Sequence, residues 1–212
     1  MRALIAALVL GTALGAALIT TAVTTAAAQA RQDSGRSSSL ERAFVANGRI
    51  RMDLSAGQYR IEGSPDNRIR LDWTVRYPDQ LSEVRARADV NGPDAAISID
   101  GPHDSFRVVI QIPARADLHV RMTAGELRVE RIAGNKDISL HAGELDIDVG
   151  NPDDYRRVEA SIWAGELRPG PFGRVKEGLF RSFDWSGNGN YRLEARLKAG
   201  ELRLHGGAST RR

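Results

Sequence analysis

Leu118-His119-Val120-Arg121-Met122-Thr123-Ala124-Gly125-Glu126-Leu127-Arg128-Val129 carries the pattern that decides the fold. Apolar and polar residues alternate as far as Met122, the phase slips across Ala124-Gly125-Glu126, and the alternation resumes at Leu127. A period of two is the mark of a strand with one face buried and the other wet. Leu127 lies an odd step beyond Ala124, which alternation cannot produce, so the chain must bend or bulge there.

The same pattern occurs five times, at Ala56-Gly57-Gln58-Tyr59, Ala124-Gly125-Glu126-Leu127, Ala142-Gly143-Glu144-Leu145, Ala164-Gly165-Glu166-Leu167 and Ala199-Gly200-Glu201-Leu202. Two residues before each alanine stand Leu54, Met122, Leu140, Ile162 and Leu197; four before stand Met52, Val120, Ile138, Ala160 and Ala195. Six before, the apolar row fails once, at Lys136, which is expected to mark a strand end. Gly57, Gly125, Gly143, Gly165 and Gly200 are the expected corners, because glycine accepts positive φ and close backbone approach. The alanine is expected at an inside corner too tight for leucine. A second strand then buries Ile61, Val129, Ile147 and Leu204, with Pro169 as the exception that lacks a ladder donor.

Copies 124, 142 and 164 lie 18 and 22 residues apart, lengths that suit one turn of a stack of short strands. The expected fold is therefore all-β: a single-domain β-solenoid, a parallel β-helix-like stack. Between copies 56 and 124, runs at 69–75, 84–90, 96–99 and 106–112 alternate between turn signals such as Asn91-Gly92-Pro93. They predict a hairpin-rich N-terminal cap, since an open stack end exposes unpaired backbone. Ahead of Ser186-Gly187-Asn188-Gly189-Asn190, Leu179, Phe183 and Trp185 share one phase and predict a degenerate coil or a hairpin. No stretch after residue 30 has a helical period.

Met1-Arg2, an apolar run from Ala3 to about Ile19, and Ala28-Gln29-Ala30 read as a secretory signal with an A-x-A cleavage site. The rival reading is an uncleaved anchor, with Thr20 to Ala28 lengthening the apolar segment. The expected organisation is a signal at 1–30, a flexible linker at 31–45, the β-solenoid at 46–206 and a loose tail at 207–212. The absence of cysteine removes disulfides, thiol catalysis, thiolate metal sites and a lipid-modified N-terminal cysteine. Removing the leader takes one basic residue, Arg2, and leaves 29 Lys and Arg against 27 Asp and Glu. Near-balance argues against nucleic acid or a strongly acidic ligand. The few aromatic residues argue against an outer-membrane barrel, which needs aromatic girdles.

The repeated strand, small residue, Gly, acidic and aliphatic residue, with Ile112-Pro113 before the first close-spaced copy, resembles the putative-adhesin domain family of exported bacterial proteins. Gly178-Leu179-Phe180-Arg181-Ser182-Phe183-Asp184-Trp185-Ser186-Gly187-Asn188-Gly189 looks like a C-terminal stretch of such proteins. The resemblance covers roughly residues 45 to 205 and implies a β-solenoid and export, with no reaction, cofactor or catalytic residue. This chain has Ala-Gly-Glu where the commoner version has Ser-Gly-Asp.

In register, Glu126, Glu144, Glu166 and Glu201 would form a column that a cation could bridge. Arg60, Arg128, Arg168 and Arg203 would form a second column beside it, so interleaved ion pairs explain both and are the favoured reading. Trp163 stands just before a repeat alanine, where the other copies have Ser55, Thr123, His141 and Lys198. An outward indole could stack on a sugar ring or anchor a partner; the plainer alternative folds the 170–190 segment, with Phe172 and Phe180, over it. Asp100, His103 and Asp104 could hold a metal but sit at a Gly101-Pro102 turn. Asp146 and Asp148 could act as paired carboxylates, yet no nucleophile elbow, phosphate loop or His-Glu-x-x-His is present.

The expected function is an exported, non-enzymatic solenoid that displays a polar surface to an unidentified envelope or extracellular protein or glycan. Trp163, His141, Lys198 and Thr123 are its candidate contacts. No cofactor, metal or nucleic acid is expected, and membrane contact only through an uncleaved leader. The alternatives are a polysaccharide-active enzyme using Asp146, Asp148 and Glu159, and a purely structural solenoid that self-associates.

Overall fold

In the computed structural model, which describes residues 35–102 and 106–206, the alternating runs become strands. They are β1 (Ser37–Ala43), β2 (Gly48–Leu54), β3 (Gly57–Ser64), β4 (Arg68–Thr74), β5 (Arg85–Asn91), β6 (Asp94–Asp100), β7 (Arg107–Pro113), β8 (Ala116–Glu130), β9 (Lys136–Asp148), β10 (Tyr155–Arg168), β11 (Lys176–Ser186) and β12 (Tyr191–His205). Short 3-10 turns at Pro78–Glu83, Pro152–Asp154 and Gly170–Phe172 connect some of them. The expected leader at 1–30, the expected tail at 207–212, and His103 and Asp104 lie outside the described residues.

Burial follows the sequence pattern on both sides of each bend. Leu54, Met122, Leu140, Ile162 and Leu197 are buried before the glycine, and Tyr59, Leu127, Leu145, Leu167 and Leu202 after it. All belong to one apolar core. Each such side chain contributes about 1.5–3 kcal/mol when fully buried.

The five motifs come together in one line. Gly57 pairs with Gly125, Gly125 with Gly143, Gly143 with Gly200, and Gly200 with Gly165. Gly125, Gly143, Gly165 and Gly200 have φ between 111° and 132°. A Cβ on any of these four would overlap the carbonyl oxygen of the next glycine in the line. The bend therefore needs glycine twice over, for dihedral and for space. The repeat alanines are not packed inside: four are half-buried and Ala199 is exposed. The crowding expected at alanine falls one residue later.

The order of the strands in the sheet differs from their order in the chain. β8, β9, β12 and β10 run parallel and side by side in that sequence, so the last motif is inserted between the third and fourth. At the other end, β2 and β3 lie beside β8, with β6 and β7 parallel to them on the outside. Antiparallel strands finish the edges: β5 on β6, β4 and then β1 on β7, and β11 on β10. The whole is a mixed, twelve-stranded sheet that does not close. The all-β expectation thus stands at this level, with two corrections. Residues 37–43, expected within the 31–45 linker, form β1 because their backbone completes a ladder from Ser37↔Thr74 to Ala43↔Arg68. β11 is no coil: it forms an antiparallel hairpin with the preceding β10, not across the Ser186–Asn190 turn, which carries the chain past β10 to β12.

Lys136 does begin β9, and it is buried. Its Nζ donates to Tyr155 Oη at 2.8 Å and to the Gly134 carbonyl at 3.3 Å. Burial pulls its pKa down to about 8, against the opposing pull of Asp148, Asp117 and Asp154.

Candidate functional site

The residue before each repeat alanine is left out of the ladders, which run to Met122↔Leu140 and resume at Ala124↔Ala142. Strand order therefore sets these side chains in the row Thr123, His141, Lys198, Trp163, about 4.8 Å from one strand to the next. Lys198, rather than His141, is the neighbour of Trp163, a consequence of the inserted β12.

A groove of about 570 Å³ runs along this row. His141, Lys198 and Trp163 line it; Thr123 continues the row one strand beyond His141 but is not in the lining. Phe180 of β11 forms its end wall, meeting Trp163 edge to face with ring centroids 5.5 Å apart. Trp163 nevertheless stays 55% exposed and Phe180 71%. The 170–190 segment thus flanks the indole without covering it. Phe172 goes elsewhere, packing 4.9 Å from Trp185 and 6.1 Å from Tyr155.

Reading the residue before each alanine misses the second wall. Two residues further back stand Arg121, Ser139, Arg196 and Ser161, with Arg181 and Ser182 from β11, and all line the groove. The outward position three before each alanine was the available signal. Arg196 is shared with Asp137 at 3.0 Å and with Glu194. Arg181 donates Nε–H to the Glu177 carbonyl at 2.6 Å. Arg121, Lys198 and Arg181 have no ion-pair partner among the described residues, although Asp53 stands opposite Arg121 in the ladder.

Among the described residues no carboxylate lines this groove. A second groove of the same volume differs in chemistry: Asp89, Asp94 and Asp117 line it together with Arg49 and Arg51, and Arg49 grips Asp94 at 2.8 Å. Near-balance of charge over the chain therefore hides a local segregation. The acids near the first groove are held one step away, in a strip where Arg157 and Arg192 bind Glu159 and His119 binds Asp137.

The other candidates do not assemble. Asp146 lies 3.6 Å from Arg203 and 3.0 Å from His205, and Asp148 accepts the Gly150 N–H at 2.8 Å. Both follow the bend of β9, whereas Glu159 precedes the bend of β10, so the three face no common cleft. The glutamate column is threaded with arginine: Glu126 pairs with Arg128 at 2.6 Å, Arg168 with Glu166 and with Glu201 at 3.1 Å, and Arg203 with Glu201. Among the described residues no group of three or more His, Asp or Glu is placed to hold a metal ion.

No family model and no curated protein matches the chain. Among solved structures it is similar to a putative cell adhesion protein from Clostridium sporogenes, with a TM-score of 0.53 and 10% identity over 81% of this chain and 100% of the other. It is also similar to a putative adhesin from Bacteroides fragilis, with a TM-score of 0.28 and 9% identity over 82% and 98% of the two chains. At 10% identity the first likeness concerns the fold alone, and the second score is too low to carry weight.

Proposed function

We propose that the protein is an exported, non-enzymatic β-solenoid of the adhesin type. In this reading it displays a fixed row of side chains to an envelope or extracellular partner. The observation that carries the reading is the groove in which His141, Lys198 and Trp163 stand on adjacent parallel strands, with an exposed indole at one end. Ladder bonds on both sides hold those strands at constant spacing, so the row is organised before any partner arrives. An exposed aromatic residue with cations beside it is the composition of a binding anchor. The fold shared with a putative cell adhesion protein agrees with this, and the leader-like N-terminus supports export. Thr123 would extend the contact at the far end of the row.

The test is a pull-down from the envelope of the source organism with the wild-type protein and Trp163→Ala. Recovery of a partner by the wild type and its loss, by about tenfold or more, from the variant is expected. Equal recovery by both removes the row as the binding face.

A further inference from the structure

Beyond the presence of a binding face, the groove has a charge spacing. Among the described residues its cations without carboxylate partners are Arg121, Lys198 and Arg181. They stand on β8, β12 and β11, which are every second strand in the order β8-β9-β12-β10-β11. Two strand spacings are about 10 Å, and Lys198 also stands two residues further along β12 than Arg196, which is level with Arg121 through Ser139, so the line of cations crosses the strands obliquely. Ser139 and Ser161 line the groove on the intervening strands β9 and β10 and offer hydroxyls that both donate and accept. At the end of the groove the indole of Trp163 and the ring of Phe180 give apolar faces. Phe180 is held with φ at 52°, a left-handed conformation that costs a bulky residue about 1–2 kcal/mol. That strain is kept at the residue beside Trp163 in the groove, and retained strain of this kind clusters at ligand sites.

One strand spacing is close to the length of one hexose unit in a linear polysaccharide. We propose that the groove binds a linear acidic polysaccharide lying obliquely across the strands, with a carboxylate on alternate sugars. The carboxylates meet Arg121, Lys198 and Arg181, the neutral sugars between them meet the serines, and one sugar ring stacks on Trp163. A bilayer surface offers no such spacing and would be met by a flat basic face, whereas these cations line a groove. An acidic peptide would present its charges at the pitch of its own backbone, about 3.4 Å per residue and to alternate sides, and not at intervals of two strand spacings. The proposal rests on reading the groove as the binding face.

The experiment is titration calorimetry of the full chain at low salt with hyaluronan octasaccharide, which alternates uronate and neutral sugar. The controls are an uncharged N-acetylglucosamine oligomer, poly-glutamate and phosphatidylglycerol vesicles. Saturable binding of hyaluronan is expected, with the uncharged oligomer at least about tenfold weaker. Arg121→Gln with Lys198→Gln, and separately Trp163→Ala, should each weaken it by about tenfold or more. Unchanged melting temperatures would show that these exposed substitutions leave the fold intact. No saturable hyaluronan binding, binding unaffected by either variant, or equal binding of poly-glutamate or vesicles overturns the proposal. If hyaluronan fails while the envelope pull-down still depends on Trp163, the ligand class is wrong and the binding face stands.

Discussion

Two residues test the physical account most directly. Gly143 has φ of 128°, and an added Cβ would overlap the Gly125 carbonyl, which is fixed by its own ladder. Gly143→Ala must therefore push two layers apart, and should cost more than about 3 kcal/mol or abolish folding. Gly92 also has positive φ, 58°, but an added Cβ there meets nothing within 4 Å. Gly92→Ala should cost only about 1 kcal/mol, and chemical denaturation of the two variants separates crowding from dihedral strain. Lys136 gives a pH signature. Its pKa falls from 10.5 unfolded to about 8 folded, so below pH 8 both states hold the proton and the fold bears a buried ammonium. Between about pH 8 and 10 the unfolded state binds the extra proton, and stability should rise with pH by about 2–3 kcal/mol. Above pH 10 the buried Tyr155 hydroxyl, whose pKa is raised by burial, reverses the trend. Lys136→Met should flatten the rise in melts taken across this range. Apart from Lys136, the rows of apolar residues were legible because burial obeys the period of two. The buried lysine was not, because its partner Tyr155 comes from another strand, 19 residues away.

Strand order makes a different prediction. If the layers followed the chain, β12 would be an end layer and its loss would be mild. It lies between β9 and β10, so a chain ending at residue 190 loses an internal strand with its buried Leu193, Leu197, Leu202 and Leu204 and leaves the ladder edges of β9 and β10 unpaired. No cooperative thermal transition should remain. Removing residues up to 43 takes the edge strand β1 but leaves the buried Phe44, and β4 keeps its pairing with β7. That truncation should still melt cooperatively, at a lower temperature. Circular dichroism of both forms decides the matter. The motifs predicted each bend, but motifs this similar carry no label for which neighbour they take. The chosen order depends on the 169–190 segment, which folds β11 against β10 and returns the chain on its far side.

Over the whole molecule, ion pairs decorate a fold that the apolar core holds. The arginines that pair with acids are roughly half exposed, as at Arg128, Arg168 and Arg203. Exposed pairs contribute about 0–1 kcal/mol each and are screened by salt. Raising salt from low concentration to 1 M should shift the denaturation free energy by no more than about 1–2 kcal/mol, whereas groove binding of an anionic chain should weaken steeply. The strand faces and the glycine bends are readable from the chain alone, since they follow from local period and from sterics at a single residue. The folded chain alone reveals that β12 enters between β9 and β10, that Phe180 stands beside Trp163, and that of the four cations lining one groove three have no ion-pair partner among the described residues. Those features depend on which strands become neighbours. That choice is made by long-range ladder pairing and burial, to which a composition near charge balance and a short repeated motif are blind.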